Sequence, residues 1–150
     1  MAGRVATTPQ PANEAGPAAS VRPPEWRKPQ RHTYGAVDLG TNNCRLLIAR
    51  PTDEGFTVVD AFSRIARLGE GLSQSGNLTQ GAMDRAVAAL AVCGDKLPRR
   101  HVSLSRSVAT EACRRAVNGR EFVERVRLET GIALEIIAPQ EEARLAVLGC

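Results

Sequence analysis

The chain has 150 residues, a formal net charge of +4 and a hydrophobic content of 43%, and this length fits a single domain. No apolar stretch is long enough for a signal-peptide core or a membrane-spanning helix, so the sequence predicts a cytoplasmic protein with no membrane partner. The first 33 residues carry most of the positive charge, which leaves +1 on the remainder. Because a nucleic-acid-binding domain carries its positive charge on the fold, we expect no nucleic-acid partner.

Residues 1–33 differ in composition from the rest of the chain. They contain six of the nine prolines, many small or polar residues and few large apolar ones. Such a segment buries too little apolar surface to offset the entropy that ordering would cost. We therefore predict a disordered, proline-rich, basic tail at residues 1–33 and a folded domain at residues 34–150. The tail's charge suits either a solubilising extension or the capture of polyanions.

Residues 34–49 read YGAVDLGTNNCRLLIA and predict a β-hairpin, because a short polar turn joins two apolar runs. A carboxylate ends the first strand, and a glycine, a hydroxyl and two carboxamides follow it: Asp38, Gly40, Thr41, Asn42 and Asn43. Successive backbone N–H groups in a turn form a concave anion site, which glycine allows a ligand to approach closely. The acid suits a metal ion or a water held against the anion. The alternative is an Asn-rich turn that binds no ligand.

The residues after this hairpin predict alternating strands, loops and helices. Residues 56–62 form a third strand of a meander, and the glycine-bearing residues 64–72 predict a loop. Thr79 is the predicted N-cap of an amphipathic helix, with Leu78 and Met83 as its hydrophobic staple and Pro98 at its end. We further predict a strand at 101–105, a loop leading into a helix at 106–115, a helix at 121–129 and a strand at 132–138.

Residues 106–115 can present polar groups to an anion. Ser107 and Thr110 offer hydroxyls, and the guanidinium of Arg114 or Arg115 can fork onto phosphate oxygens. Most surface arginines face water instead, so both interpretations of these arginines stay open.

The last predicted helix follows a strand and begins at residue 140, with Glu141 and Glu142 in its first turn. Acidic residues there oppose the positive end of the helix dipole. The functional alternative is that one carboxylate points into a cleft at the carboxyl end of the strand, where α/β sheets bind ligands. Adjacent helical residues diverge by about 100°, so only one acid can hold that place. Periodicity does not decide which one.

The chain has four cysteines, Cys44, Cys93, Cys113 and Cys150. They show no C-x-x-C spacing, and two of the four lie in apolar surroundings. This pattern argues against a metal site and against a disulfide framework. We therefore predict reduced, buried thiols.

Four sequence blocks occur in one order: VDLGTNN, RLGEGL, VATEACRRAVNGREFVERV and TGIALEIIAPQEEARL. In that order and spacing they resemble the exopolyphosphatase and guanosine pentaphosphate phosphohydrolase (Ppx/GppA) family over nearly all of residues 34–150. The resemblance implies an α/β fold, specifically an actin-like ATPase (ribonuclease H-like) domain. Members of the family cleave the terminal phosphoryl group of inorganic polyphosphate, and some cleave a terminal phosphate of pppGpp.

The resemblance also implies roles for individual residues. Glu142 matches the catalytic base, which orients and deprotonates the attacking water. Seven residues match phosphate-binding positions: Asp38, Gly40, Thr41, Asn42, Asn43, Thr110 and Arg114. A divalent cation, Mg²⁺ or another, is the implied cofactor, with Asp38 as its ligand directly or through water. Arg67 occupies a position that varies between basic residues. The implied partners are polyphosphate or guanosine pentaphosphate, and a homodimer is expected only of a full-length form.

The chain departs from the family pattern after the EEARL block. Relatives continue to a second phosphate loop of the form Asp-x-Gly-Gly-Gly-Ser, whereas this sequence stops at Cys150. We therefore expect residues 34–150 to form an incomplete domain of marginal stability, inactive or weakly active alone. Two alternatives stay open, a non-catalytic polyphosphate- or nucleotide-binding fragment and an actin-like-fold kinase or ATPase. The EEARL block counts against the second.

Overall fold

A computed structural model describes residues 32–149 of the chain. The predicted tail lies outside the described residues except for its last two, and Thr33 is buried and accepts a hydrogen bond from the Ser103 N–H at 2.8 Å. The elements in chain order are β1 (Tyr34–Leu39), β2 (Asn43–Thr52), β3 (Gly55–Ile65), α1 (Leu72–Ser75), α2 (Gln80–Arg99), β4 (Leu104–Ala109), α3 (Glu111–Arg115), α4 (Gly119–Thr130), β5 (Glu135–Ile136) and α5 (Pro139–Leu148).

The five strands form one mixed sheet in the order β3-β2-β1-β4-β5. Strands β1, β2 and β3 pair antiparallel as the predicted meander, and β4 and β5 run parallel to β1. The carboxyl end of β1 therefore lies beside the carboxyl end of β4 and beside the hairpin turn. This arrangement brings residues far apart in sequence to one edge of the sheet.

Side chains alternate between the two faces of the sheet, as the apolar runs predict. Val37 and Leu39 of β1 are buried on one face, whereas Ala36 and Asp38 point to the other. The buried face packs against α2 and α4, which contribute Leu90 and Phe122 to the core. The opposite face remains accessible near the end of β1, and α5 lies at its edge.

Helix α2 confirms the predicted cap. The Thr79 side chain accepts a hydrogen bond from the Ala82 N–H at 3.3 Å. The helix ends at Arg99, so Pro98 lies in its last turn, one residue before the end that it was expected to mark.

Two strands differ from their predicted ranges. The strand expected at 101–105 is β4 at Leu104–Ala109, so residues 106–109 are strand and not loop. Parallel pairing with β1 sets these bounds, with Tyr34 opposite Leu104 and Leu39 opposite Ala109. The strand expected at 132–138 contains only Glu135–Ile136, because β5 pairs only with the last two residues of β4. The short helix α1 begins at Leu72, the last residue of the loop predicted at 64–72.

Three cysteines lie in the described part of the chain, and Cys44, Cys93 and Cys113 are all free and buried, as predicted. Cys150 lies outside the described residues. Among residues 32–149, no helix combines the length and the apolar character that crossing a membrane requires.

Candidate active site

The turn between β1 and β2 is held by a separate segment of the chain. Within the turn, the Gly40 N–H donates to the Asn43 carbonyl at 2.9 Å. The Asn42 carbonyl accepts from the N–H groups of both Ala66 and Arg67, at 2.8 and 2.9 Å. The Thr41 carbonyl accepts from the Gly69 N–H at 3.0 Å. We call residues 66–69 the brace, because their backbone fixes both carbonyls at the tip of the turn.

The brace has little freedom to move. Arg67 adopts a left-handed backbone conformation, with φ of 48°, which a non-glycine residue rarely takes. A Cβ atom at Gly69 would lie 2.4 Å from the Thr41 Cγ2 atom, so a larger residue there would have to displace the Thr41 side chain. The Arg85 side chain of α2 donates to the carbonyls of Ala66 and Arg67 and pairs with Glu70. The turn is therefore preorganised by the segment that follows β3, and Arg85 of α2 holds that segment in place.

The carbonyl groups of Thr41 and Asn42 face the brace. The N–H groups of the same two residues do not bond to the brace. Within the described part of the chain, the N–H groups of Thr41 and Asn42 donate to no other residue. Asn42 is exposed and Thr41 is partly exposed, so water or an anion can reach them. Adjacent N–H groups with no protein acceptor are the donors from which concave anion sites are built, and anion binding at this turn stays a prediction.

A cavity of about 460 Å³ lies on the accessible face of the sheet, between β1, β4 and α5. Asp38, Thr110 and Glu142, three of the predicted site residues, line it together. Arg106 lines it as well, and the remaining walls are apolar: Ala36, Val37, Val108, Ile137, Leu145 and Ala146. A carboxylate from β1 and a carboxylate from α5 thus face one space, although 104 positions separate them in the sequence.

Asp38 has a perturbed acidity. The residue is exposed overall, but its carboxyl lies in the cavity, and the loss of hydration there raises its pKa. The positive charge of Arg45, directly opposite on β2, opposes this shift, and the negative charge of Glu142 adds to it. A carboxyl group whose pKa is raised by burial and by a neighbouring carboxylate is a frequent feature of active sites.

Glu142 lies in the first turn of α5, which Pro139 begins at a position where its missing N–H costs nothing. The Arg114 guanidinium of α3 approaches the Glu142 carboxylate at 3.4 Å and also donates to the Ile137 carbonyl at 2.7 Å. Arg114 thus reaches from α3 to the acid that faces the cavity. The structure therefore places two of the predicted site residues, Arg114 and Glu142, in contact.

The structure separates the two adjacent acids that periodicity leaves equivalent. Glu141 points to the side of α5, where it pairs with Arg106 at 3.0 Å and with Arg144 at 2.8 Å. Glu142 lines the cavity, and Glu141 does not. The helix geometry allows one acid to face the cleft, and in this chain that acid is Glu142.

Other predicted residues hold different places. Gly40, Thr41, Asn42 and Asn43 form the turn and do not line the cavity. The Thr110 hydroxyl is buried and lies 3.5 Å from the Leu39 carbonyl, its acceptor, so it ties β4 to the end of β1. Ser107 is buried in β4. Arg106 is not among the predicted site residues, because the sequence predicts a loop at residues 106–109. In strand β4 its side chain lies on the face of the sheet opposite to that of the buried Ser107.

The described residues fit a divalent cation only in part. No group of three or more His, Cys, Asp or Glu side chains among residues 32–149 could hold a metal ion by itself. Mg²⁺ is commonly bound by one or two carboxylates together with water and substrate phosphates. Asp38, with Glu142 across the same cavity, fits that mode and does not fit an all-protein cage.

Replacing Asp38 with asparagine should stabilise the fold at neutral pH. A carboxyl whose pKa is raised in the folded state costs stability as the pH rises through that pKa. We expect D38N to have a higher thermal midpoint than the wild type at pH 7 and an equal one near pH 3, where the wild-type carboxyl is protonated.

Asp60 is the control, because its pKa is shifted in the opposite direction from that of Asp38. Hydrogen bonds from Lys96 and Arg100 lower the pKa of Asp60. D60N should therefore reduce the midpoint at pH 7, and its difference from the wild type should shrink as the pH falls below the ordinary aspartate pKa of 3.8. A lower midpoint for D38N than for the wild type at pH 7 would contradict the desolvation argument.

Comparison with known proteins gives one consistent result. A family model described as the Ppx/GppA phosphatase family matches residues 47–150. The crystal structure of the Aquifex aeolicus Ppx/GppA family member is similar, with a TM-score of 0.75 and 32% identity, over 79% of this chain and 39% of that one. An exopolyphosphatase from Cytophaga hutchinsonii has a TM-score of 0.72 and 29% identity, over 76% of this chain and 36% of that one.

An exopolyphosphatase-like protein of known structure is similar at 32% identity, with a TM-score of 0.70, over 75% of this chain and 34% of that one. The chain thus spans well under half the length of each of these structures. The predicted fold class, an α/β fold of the actin-like ATPase (ribonuclease H-like) type, is confirmed by the mixed sheet and by this likeness.

Proposed function

The chain belongs to the Ppx/GppA phosphatase family, and from this membership we propose that it supplies the catalytic base and one phosphate loop for hydrolysis of the terminal phosphoryl group of inorganic polyphosphate. The observation that carries the proposal is the cavity at the end of β1, where Asp38 and Glu142 meet beside the hairpin turn. Guanosine pentaphosphate presents a similar terminal phosphoryl group and is the alternative substrate.

The proposed reaction uses Glu142 as the general base. Its carboxylate accepts a proton from a water molecule as the water oxygen attacks the terminal phosphorus, and the bond from that phosphorus to the bridging oxygen breaks. The products are inorganic phosphate and a chain one phosphate shorter. Phosphoryl transfer needs mainly positioning and charge neutralisation from the protein. A base that faces the cavity from a helix N-terminus supplies the positioning.

Charge neutralisation falls to several groups in this proposal. The unused N–H groups of Thr41 and Asn42 bind phosphate oxygens at the turn, and Arg114 provides a fixed positive charge next to Glu142. A divalent cation bound at Asp38 would offset the charge of the substrate. The preference for Mg²⁺, the homodimer of a longer form and a cytoplasmic location remain predictions from the sequence.

A binding role without catalysis is the second candidate, because the chain spans 39% of the Aquifex aeolicus structure. The two are separated by phosphate release from long-chain polyphosphate and from pppGpp, measured with and without Mg²⁺ on the full protein that the gene encodes. Release of phosphate that depends on Glu142 supports the hydrolase. Tight polyphosphate binding with no release supports the binding role, and absence of both contradicts the proposed function.

Replacing Arg114 with glutamine should weaken polyphosphate binding about 10-fold or more, because hydrogen bonds to charged groups contribute about 1.5–3 kcal/mol each. Arg114→Lys should not restore the affinity fully, since an ammonium lacks the planar fork. Binding is measured by calorimetry at one fixed salt concentration, with thermal unfolding as a check on the fold.

Arg115→Gln is the matched control for this loss. Arg115 is the next residue on α3, but it is exposed and pairs with Glu111 one turn away. A screened surface pair contributes little, so we expect affinity within about twofold of the wild type. An equal loss in both variants would show that Arg114 acts only through the net charge.

A further inference from the structure

Helix α5 carries Glu142, yet few contacts hold this helix to the sheet within the described part of the chain. None of its ten residues is buried, and its N-cap, Ala138, has no side chain that can cap the helix. The strand before it, β5, pairs through only two residues. A general base must be held within a fraction of an ångström of its working position. The Arg114 guanidinium contacts Glu142 from α3, and a second contact, reaching the first turn of α5 from the sheet, would fix the helix itself.

Arg106 provides such a contact. It lies on the accessible face of β4, and its three guanidinium nitrogens all donate to carboxylates. Nε and Nη2 each donate to Glu135 of β5 at 3.2 Å, and Nη1 donates to Glu141 of α5 at 3.0 Å. We call this set of contacts the Arg106 bridge. It joins β4, β5 and α5 through one side chain.

We propose that Arg106 is a positioning residue for Glu142, acting through Glu141 to fix the first turn of α5 against β4. This inference rests on the proposed function, because it assigns Glu142 the role of base. Glu141 and Glu142 are adjacent, so the bond that restrains the first carboxylate also restrains the helical backbone of the second. The bridge sets the direction in which Glu142 enters the cavity.

Direct substrate binding by Arg106 is the competing role, since Arg106 also lines the cavity. The bonding pattern disfavours that role. Every nitrogen of the guanidinium already has a carboxylate partner, and one positive charge faces the two negative charges of Glu135 and Glu141. Together with Arg144, which pairs with the same Glu141, these four groups are neutral overall, so they offer no net positive charge to a polyanion. A phosphate would have to displace both acids to bind there.

The bridge persists over the working pH range. Hydrogen bonds from Arg144 and Arg106 lower the pKa of Glu141 to about 2. The stability that this lowered pKa gives to the fold is fully present above pH 4.5, the ordinary glutamate value. It is lost as the pH falls from 4.5 toward about 2, the pKa of Glu141 in the folded protein. The groups that face Glu141 are Arg106 from β4 and Arg144 from α5. Neutral pH leaves all of them charged.

The test compares R106Q, E141Q and the double variant, with R144Q as the matched control. Arg144 pairs with the same carboxylate but lies on α5 itself, so losing it does not detach the helix. We expect R106Q and E141Q each to lower kcat about 10-fold with KM within about twofold, since small misplacements cost up to about 100-fold. The double variant should have the same kcat as each single variant, because each single substitution already removes the Arg106–Glu141 pair. R144Q should keep kcat within about twofold.

A structural readout tests the inference without relying on activity. Hydrogen exchange of the α5 amides, measured by mass spectrometry, should be faster in R106Q and E141Q and unchanged in R144Q. Exchange at wild-type rates in R106Q overturns the inference, whether or not the protein hydrolyses polyphosphate. So does a rise of KM in R106Q that E141Q does not share, because that result assigns Arg106 to the substrate.

The failure of the proposed function gives a different pattern. If E142Q keeps the wild-type rate of phosphate release while R106Q still accelerates exchange in α5, the bridge holds the helix but Glu142 is not the base, and the positioning role is overturned with the function. Arg106 and Glu135 are exposed and Glu141 is partly exposed, and ion pairs of this kind contribute little to stability, so R106Q should fold. E141Q removes the same ion pair with Arg106 by changing the residue on α5.

Discussion

Replacing Glu142 with glutamine should lower phosphate release from polyphosphate by about 10²–10⁴-fold, the range that a positioned general base contributes. Glutamine keeps the size of the side chain and removes its ability to accept the proton of the attacking water. Binding of polyphosphate should not weaken, since the change removes a negative charge from the cavity that Glu142 lines. Both quantities are measured on the full encoded protein, release by phosphate assay and binding by calorimetry.

Glu111→Gln is the control for this substitution. Glu111 is an exposed acid at the start of α3 whose partner is Arg115, one helical turn away. The control should retain phosphate release within about twofold, because an exposed pair of this kind contributes little. Hydrolysis by E142Q at the wild-type rate would refute the assignment of the base. Equal losses in both variants would point to net charge and not to position.

Replacing Phe122 with alanine should have the largest effect on stability, a loss of about 3–5 kcal/mol. Phe122 is completely buried in the core between the sheet, α2 and α4. Its loss leaves a cavity, and domains are stable by only about 5–15 kcal/mol in total. The change should also loosen the support of Arg114, because α4 packs against α3 so closely that a Cβ at Gly119 would lie 2.0 Å from the Cys113 carbonyl oxygen.

Leu128→Ala on the same helix is the comparison for Phe122→Ala. Leu128 is 70% exposed, so its truncation should change the free energy of unfolding by no more than about 0.5 kcal/mol. Urea unfolding followed by circular dichroism gives both values. A loss below about 1 kcal/mol for F122A would mean that the core relaxes around the missing ring.

The hairpin and the main helix could be predicted because their signals are local. Val37 and Leu39 alternate on β1 with the exposed residues Ala36 and Asp38, and Thr79 caps α2 through a bond to a residue three positions on. The bounds of β4 could not be predicted in this way. They depend on parallel pairing with β1, which lies 70 positions earlier in the register, and LSRSVA has no apolar alternation strong enough to mark them.

The candidate site was predictable in its residues more than in its geometry. The resemblance pointed to Asp38, Arg114 and Glu142, and the structure brings Asp38 and Glu142 to one cavity with Arg114 beside it. Helical periodicity alone could not distinguish Glu142 from Glu141, because the difference lies in which side of α5 meets the sheet. Arg106 was missed, since its partners lie on two elements whose placement the sequence does not show.

The brace links ligand binding to the folding of the sheet. The carbonyls of Thr41 and Asn42 are fixed by residues that follow β3, so the turn acquires its shape only when β3 has paired with β2. An anion that binds the shaped turn, and not the unfolded chain, then adds its binding free energy to the stability of all three strands. At a free concentration 100 times the dissociation constant this contribution is about 2.7 kcal/mol. Polyphosphate bound there would act as a folding ligand of the meander, independently of whether it is cleaved.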